Sequence, residues 1–167
     1  MTIVIRPAVQ ADLARMTAIY NQAIEQGYIT ADLDLQTPEE KQDWFDFHHD
    51  NKRFPLFGVY QDDKLLGYGY LGPFNDRKGY EMTAEVTYYL DFEARGHGLG
   101  TKILKYLMDY AKSVDIKVLV ALVYAGNDAS IGLLKKFGFE TWGELPEIGQ
   151  AKDGRLMSLD YLGKHLL

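Results

Sequence analysis

The residues of this chain best arranged for chemistry are Arg95, Gly96, His97, Gly98, Leu99 and Gly100, followed at once by Thr101 and Lys102. They fall between a strand-like run, residues 84–90, and a helical pattern with apolar residues at Ile103, Leu104, Leu107 and Ala111. A helix start leaves amide N–H groups unpaired and carries the positive end of the helix dipole. With glycine at 96, 98 and 100, no Cβ stands between those amides and a ligand, so the turn suits an anion such as a pyrophosphate. Arg95 and Lys102 add positive charge at its rim.

Other glycine-rich nucleotide motifs do not fit. No Gly-Lys-Ser or Gly-Lys-Thr triplet closes the run, because Thr101 precedes Lys102. The dinucleotide fingerprint fails on its last glycine spacing, and no acidic residue closes the next strand-like run, residues 117–123. A nicotinamide-dependent oxidoreductase therefore rests on the glycines alone. Serine hydrolysis is weaker still, since Ser113, Ser130 and Ser158 lack the flanking glycines of a nucleophile elbow.

Composition narrows the classes further. A chain of 167 residues, 47% hydrophobic, is read as one domain, residues 1–167. A net charge of -6 with no Lys/Arg run argues against nucleic acid as a partner. The absence of cysteine excludes thiolate metal sites and a covalent cysteinyl intermediate within the chain. His48 and His49 are adjacent and point apart, so no metal is expected. No run reaches membrane-span length and the N-terminus has no leader pattern, so no membrane association and a cytoplasmic location are expected.

The elements that must position the glycine turn read in order. Residues 2–6 alternate as a strand that Pro7 ends, and residues 9–24 carry a helical stripe through Leu13, Met16, Ile19, Tyr20 and Ala23, with Asp12 in its first turn. Tyr28, Ile29 and Thr30 form an apolar patch in a loop, read as cover for the core. Thr37 caps a second helix, with Pro38 at its first position and its end near Asn51. Residues 56–60 and 65–71 form a hairpin whose Gly67 and Gly69 signal a bulge or close backbone approach. A longer strand, residues 80–90, leads into the turn.

After the helix that follows, residues 117–124 read as a strand buried on both faces, residues 127–137 as a helix stopped by Gly138, and residues 139–145 and 156–162 as closing strands. The order β-α-α-β-β-β-α-β-α-β-β predicts an α/β fold, a central mixed sheet flanked by helices.

Arg95, two free residues, Gly98, one free residue and Gly100 resemble the acyl-CoA pyrophosphate loop of the GNAT N-acetyltransferase superfamily. Ile5-Arg6-Pro7-Ala8 with Asp12, Thr37-Pro38-Glu39-Glu40, Leu71-Gly72-Pro73-Phe74 through Arg77 and Tyr80, Glu85, and Asn127-Asp128-x-Ser130 leading to Phe137-Gly138-Phe139 are similar to its phosphinothricin N-acetyltransferase-like branch, in order and over nearly the whole chain. The resemblance implies a GNAT fold and acetyl transfer from acetyl-CoA, without a metal, to the primary amine of a small amino acid or analogue. It also implies a homodimer.

Residue by residue, the resemblance makes Glu85 the general base. An amine of pKa about 10 is mostly protonated at neutral pH and cannot attack a thioester until it loses that proton. Tyr88, Tyr89 and Leu90 supply backbone N–H groups beside the reacting carbonyl. Arg95, Gly96, His97, Gly98, Leu99, Gly100 and Thr101 hold the pyrophosphate, and Asn127 and Ser130 meet the pantetheine arm, Asn127 being also a natural helix cap. Thr30, Phe74, Arg77 and Tyr80 line the acceptor pocket, with Arg77 able to pair with a carboxylate.

One position departs from the pattern. Where many GNAT enzymes carry a tyrosine that protonates the departing thiolate, this chain has Leu134, and Tyr124 is the substitute that the sequence offers. A non-catalytic acyl-CoA-binding or sensor module is the alternative that Leu134 supports. Within the enzyme class, protein or polyamine acetylation is the other possibility.

Overall fold

The computed structural model describes residues 2–167. One seven-stranded sheet has the order β1-β2-β3-β4-β5-β7-β6, from β1 (Ile3–Pro7), β2 (Leu56–Gln61), β3 (Lys64–Pro73), β4 (Thr83–Leu90), β5 (Val118–Tyr124), β6 (Glu140–Gln150) and β7 (Leu156–His165). Four α-helices, α1 (Leu13–Gln26), α2 (Gln42–His48), α3 (Leu99–Ser113) and α4 (Asp128–Lys136), complete it in the predicted order.

The two faces of the sheet carry separate cores. Leu13, Met16 and Ile19 of α1 and Phe45 of α2 pack with Tyr60, Leu65 and Tyr68 on one face. On the other, Ile103, Leu104 and Leu107 of α3 and Leu134 of α4 pack with Leu71, Ala84, Val86, Leu119 and Ala121. Alternation along β4 follows from its period of two. Ala84 and Val86 belong to the α3/α4 core with Tyr88 and Leu90 against it, and Tyr89 packs on the α1/α2 side.

Gly69 lets α3 lie close on the sheet, because a Cβ there would come within 2.8 Å of Ile103 and Leu107. The expected bulge is in β3: Val59 pairs with Gly67 and Tyr60 with Leu65, so Leu66 is the extra residue.

Several boundaries move, each for a local reason. Thr37 does cap: its hydroxyl accepts the Glu40 N–H at 3.2 Å and the Glu40 carboxylate accepts the Thr37 N–H at 3.1 Å. The turn they enclose is 3-10, Glu39–Lys41, before α2 ends at His48. Strand β4 starts at Thr83 because residues 78–80 wind into another 3-10 turn. Strand β6 runs on to Gln150, past its expected end at Leu145. Pro146 sits where the β6–β7 register slips between Leu145 and Gly149, a bulge that needs no ladder N–H from proline.

Candidate active site

Strands β4 and β5 are the parallel pair at the centre of the sheet, and their register holds only over Thr83–Val118, Ala84–Leu119 and Glu85–Val120. Beyond that rung both strands continue, β4 to Leu90 beside β3 and β5 to Tyr124 beside β7, and they part. A narrow notch of 50 Å³ lies between Val86, Thr87, Tyr88 and Tyr89 on one side and Ala121, Leu122 and Val123 on the other.

The notch shares Ile29, Tyr88, Tyr89, Asn127 and Ser130 with a cavity of 420 Å³ at the C-terminal end of β4. Two helix starts open onto it. In α3 the first helical bond is Lys102 N–H to the Gly98 carbonyl, which leaves the amides of Leu99, Gly100 and Thr101 without helical partners. Gly98, at φ +75°, and Gly96, at φ +82°, adopt left-handed backbone, and a Cβ at either would meet open space. In α4 the Asn127 side chain accepts the Ser130 N–H at 3.3 Å, so its amide NH₂ stays free to donate. Gly100 closes the gap between the helices, since a Cβ there would lie 2.9 Å from Leu133.

Of the residues assigned to the cofactor, Tyr88, Tyr89, Leu90, Arg95, Gly96, Gly98, Leu99, Gly100, Asn127 and Ser130 line this cavity. His97 and Thr101 do not. His97 lines a separate hollow of 470 Å³ together with Lys102, so the second rim cation also stands elsewhere. The Arg95 guanidinium lies 3.8 Å from the centre of the Phe92 ring, a cation–π contact that holds it at the rim. Tyr28 and Ile29, expected to cover the core, line the cavity instead.

The loop is fixed from behind by Asp91, which is 3% exposed. Its carboxylate takes the Arg15 guanidinium, the Glu93 N–H at 3.1 Å and the Gln22 side-chain amide at 3.3 Å. Gln22 in turn accepts the Phe92 N–H at 2.9 Å. Burial pushes the Asp91 carboxyl up, but these partners outweigh it and hold the group below its ordinary value.

Glu85 occupies the last rung before the strands part, half-buried. No hydrogen bond or ion pair to another described residue offsets its burial, which pushes the carboxyl above its ordinary value. Directly across β3 stands Gly72, where a Cβ would meet open space, so the carboxylate has room beside it.

The acceptor residues separate into two groups. The Thr30 hydroxyl meets the Tyr20 hydroxyl at 2.8 Å, and Tyr20 also donates to Asp32. The Lys41 ammonium lies 3.9 Å from the Tyr20 ring centre and 4.7 Å from that of Trp44. Burial lowers the Lys41 pKa, with Asp32 opposing that fall. Phe74 and Tyr80 meet edge to face at 5.7 Å, and Arg77 and Tyr80 line a 590 Å³ hollow with Thr83, two residues before Glu85. Neither Lys41 nor Asp32 was singled out from the sequence.

The proposed substitute donor, Tyr124, faces away. Its hydroxyl lies against β6, within 2.6 Å of where a Cβ on Gly149 would stand, and it lines neither the cavity nor the notch. Among the described residues no three His, Asp or Glu side chains converge to hold a metal, and no helix is long and apolar enough to cross a membrane.

The profile of the Acetyltransferase (GNAT) family matches residues 16–139, a span that includes β4, the glycine turn and both helix starts. The chain belongs to the GNAT acetyltransferase family. It is an acetyl-CoA-dependent N-acetyltransferase.

Within the GNAT family it is 36% identical to an L-methionine sulfoximine/L-methionine sulfone acetyltransferase of Pseudomonas aeruginosa, over 99% of this chain and 96% of that one. It is 31% identical to a phosphinothricin N-acetyltransferase of Streptomyces coelicolor, over 90% of this chain and 89% of that protein. Among solved GNAT structures, a phosphinothricin acetyltransferase from Sinorhizobium meliloti in complex with acetyl-CoA superposes with a TM-score of 0.91 at 27% identity, covering 99% of this chain and 89% of that one.

Proposed function

We propose that this enzyme acetylates the primary amine of a small amino acid or analogue of the phosphinothricin and methionine sulfoximine kind, by direct attack within a ternary complex. The observation that carries the reading is the place of Glu85, on the rung where β4 and β5 part, at the head of the notch that joins the loop cavity.

The cavity suits acetyl-CoA, with the α3 amides and Arg95 for the pyrophosphate and the α4 start, through Asn127 and Ser130, for the pantetheine arm. The cosubstrate supplies an acetyl group already activated as a thioester. The backbone of β4 beyond Glu85, at Tyr88 to Leu90, offers N–H groups where negative charge develops on the acetyl oxygen.

Glu85 removes the acceptor's proton, directly or through one water. At pH 7 about one part in a thousand of an amine of pKa 10 is free base, a deficit of about 4 kcal/mol that a positioned base helps to offset. A carboxylate left in water is a weaker base than one raised by burial, so Glu85's environment moves it in the useful direction. The acceptor's carboxylate pairs with Arg77, and its side chain lies against Tyr80, in the hollow that reaches Thr83 two residues before Glu85.

Two copies pair through the β6–β7 hairpin, where Trp142, Leu145, Ile148 and Leu156 are exposed together on the edge strand and its partner. Light scattering after gel filtration tests this: twice the chain mass is expected, and a monomer at micromolar concentration would overturn it. For the reaction, turnover of methionine sulfoximine and related amino acids, lost in Glu85→Gln, is the test. Acetylation of polyamines or peptides but of no amino acid would replace the acceptor assignment.

A further inference from the structure

The position that would protonate the departing thiolate is Leu134, an apolar side chain fully buried in the α3/α4 core. One helical turn before it in α4 is Ser130, held by the Asn127 cap and exposed to both the cavity and the notch. Across the notch, Tyr88 leaves β4 on the same face as α4, and its hydroxyl meets the Ser130 hydroxyl at 3.1 Å. Tyr88 and Ser130 line both the cavity and the notch.

We propose that Tyr88 is the general acid of this enzyme, giving its phenolic proton to the sulfur of CoA as the acetyl group leaves. The proposal rests on the acetyl-transfer activity and not on the identity of the amine. As the acceptor nitrogen forms its bond to the acetyl carbon, the carbon–sulfur bond breaks and its electron pair stays on sulfur. The Tyr88 O–H proton passes to that sulfur, and the phenolate recovers a proton from solvent through the Ser130 hydroxyl. The proton displaced from the amine goes to Glu85.

Burial raises the phenol above its ordinary value, so Tyr88 holds its proton through the neutral range and gives it up to sulfur against the pKa difference, while the Ser130 hydrogen bond opposes that rise by stabilising the phenolate. A CoA-like thiol, with a pKa near 8.5, is a tolerable leaving group, so the gain is at the low end for general acids, about 10²-fold. Sequence alone assigned Tyr88 only as part of the cofactor's backbone cradle; the side chain carries the additional role.

The test combines Tyr88→Phe with a fluorotyrosine installed at position 88, which keeps the ring, the hydroxyl and the fold but lowers the phenol pKa. Tyr88→Phe is expected to lose about 10²-fold in kcat while the Kd for CoA, by calorimetry, changes less than about threefold. With fluorotyrosine the basic limb of kcat moves to lower pH. Its fluorine resonance shifts differently on binding CoA and on binding desulfo-CoA, which lacks the sulfur.

Any amine that supports turnover serves, so an error in the acceptor class leaves this test intact. Equal kcat in Tyr88→Phe, or an unmoved basic limb together with identical fluorine shifts for the two ligands, would overturn the proposal. Should Tyr88→Phe fail to fold, the fluorotyrosine enzyme decides alone.

Discussion

Glu85 and Tyr88 stand three residues apart on β4 and belong to opposite faces of the sheet, Glu85 on the α1/α2 side and Tyr88 against the α3/α4 core. Their Cα atoms are thus about 10 Å apart along the strand. The parting of β4 from β5 between them opens the sheet where the two faces communicate. On our account the amine arrives on the first face and the thiol leaves on the second.

The pH dependence follows from Glu85. Its carboxyl is raised by burial, so the acid limb of kcat/KM lies above the ordinary glutamate value, and activity falls as pH drops through it. The same shift acts oppositely on stability. The folded state binds the proton more tightly than the unfolded chain, so this group's contribution is present at low pH and lost as pH rises through the folded value. Glu85→Gln therefore melts no lower than wild type at pH 7, which a thermal scan reads directly; a lower melting temperature would mean that the carboxylate is a structural partner.

Asp91 has the reverse sign. Held below its ordinary value by the Glu93 amide, Gln22 and Arg15 against the cost of burial, it stabilises the fold above its unfolded pKa, and that contribution is lost as pH falls through the lowered folded value. Asp91→Ala leaves Arg15 and Gln22 without their partner and is expected to cost about 1–3 kcal/mol, roughly 3–10 °C in melting temperature. Because the clasp sits behind the glycine turn, the Kd for CoA should weaken too. An unchanged Kd at lowered stability would show that the loop holds its shape without the clasp.

Gly98→Ala puts a Cβ on a residue at φ +75°, a cost of about 1–2 kcal/mol for left-handed backbone, and a shift in φ would turn the α3 amides away from the pyrophosphate. The expected result is a KM for acetyl-CoA raised about tenfold with the acceptor KM unchanged. Equal effects on both would place the damage in the fold instead.

The order of elements and the glycine turn could be read from the sequence because each depends on local pattern: period two in β4, an apolar stripe in α3, and glycines where the backbone must be left-handed. What crosses the sheet could not. Tyr88 meets Ser130 from 42 residues away, and periodicity gives a residue's face but not its partner opposite. Tyr28 and Ile29 read as cover because an apolar loop residue looks the same over a core as over a cavity. Pro146 masked the length of β6, since only the partner strand reveals a bulge that tolerates it.

For the proposed amino-acid acceptor, two cations are candidates to anchor its carboxylate. Arg77 lines the hollow that reaches Thr83, and Lys41 lies over Tyr20 and Trp44. Arg77→Ala is expected to raise the acceptor KM at least tenfold with kcat and the CoA Kd little changed. A normal KM in Arg77→Ala with a raised one in Lys41→Met would move the anchor to the turn before α2.

The most direct test of the central claim is the release of free CoA thiol from acetyl-CoA by wild type and Glu85→Gln, with methionine sulfoximine, phosphinothricin and the common amino acids as acceptors. The account predicts turnover with at least one amino acid, a 10²- to 10⁴-fold lower kcat in Glu85→Gln, and CoA binding of equal strength in both proteins. Turnover equal in the two enzymes would contradict it.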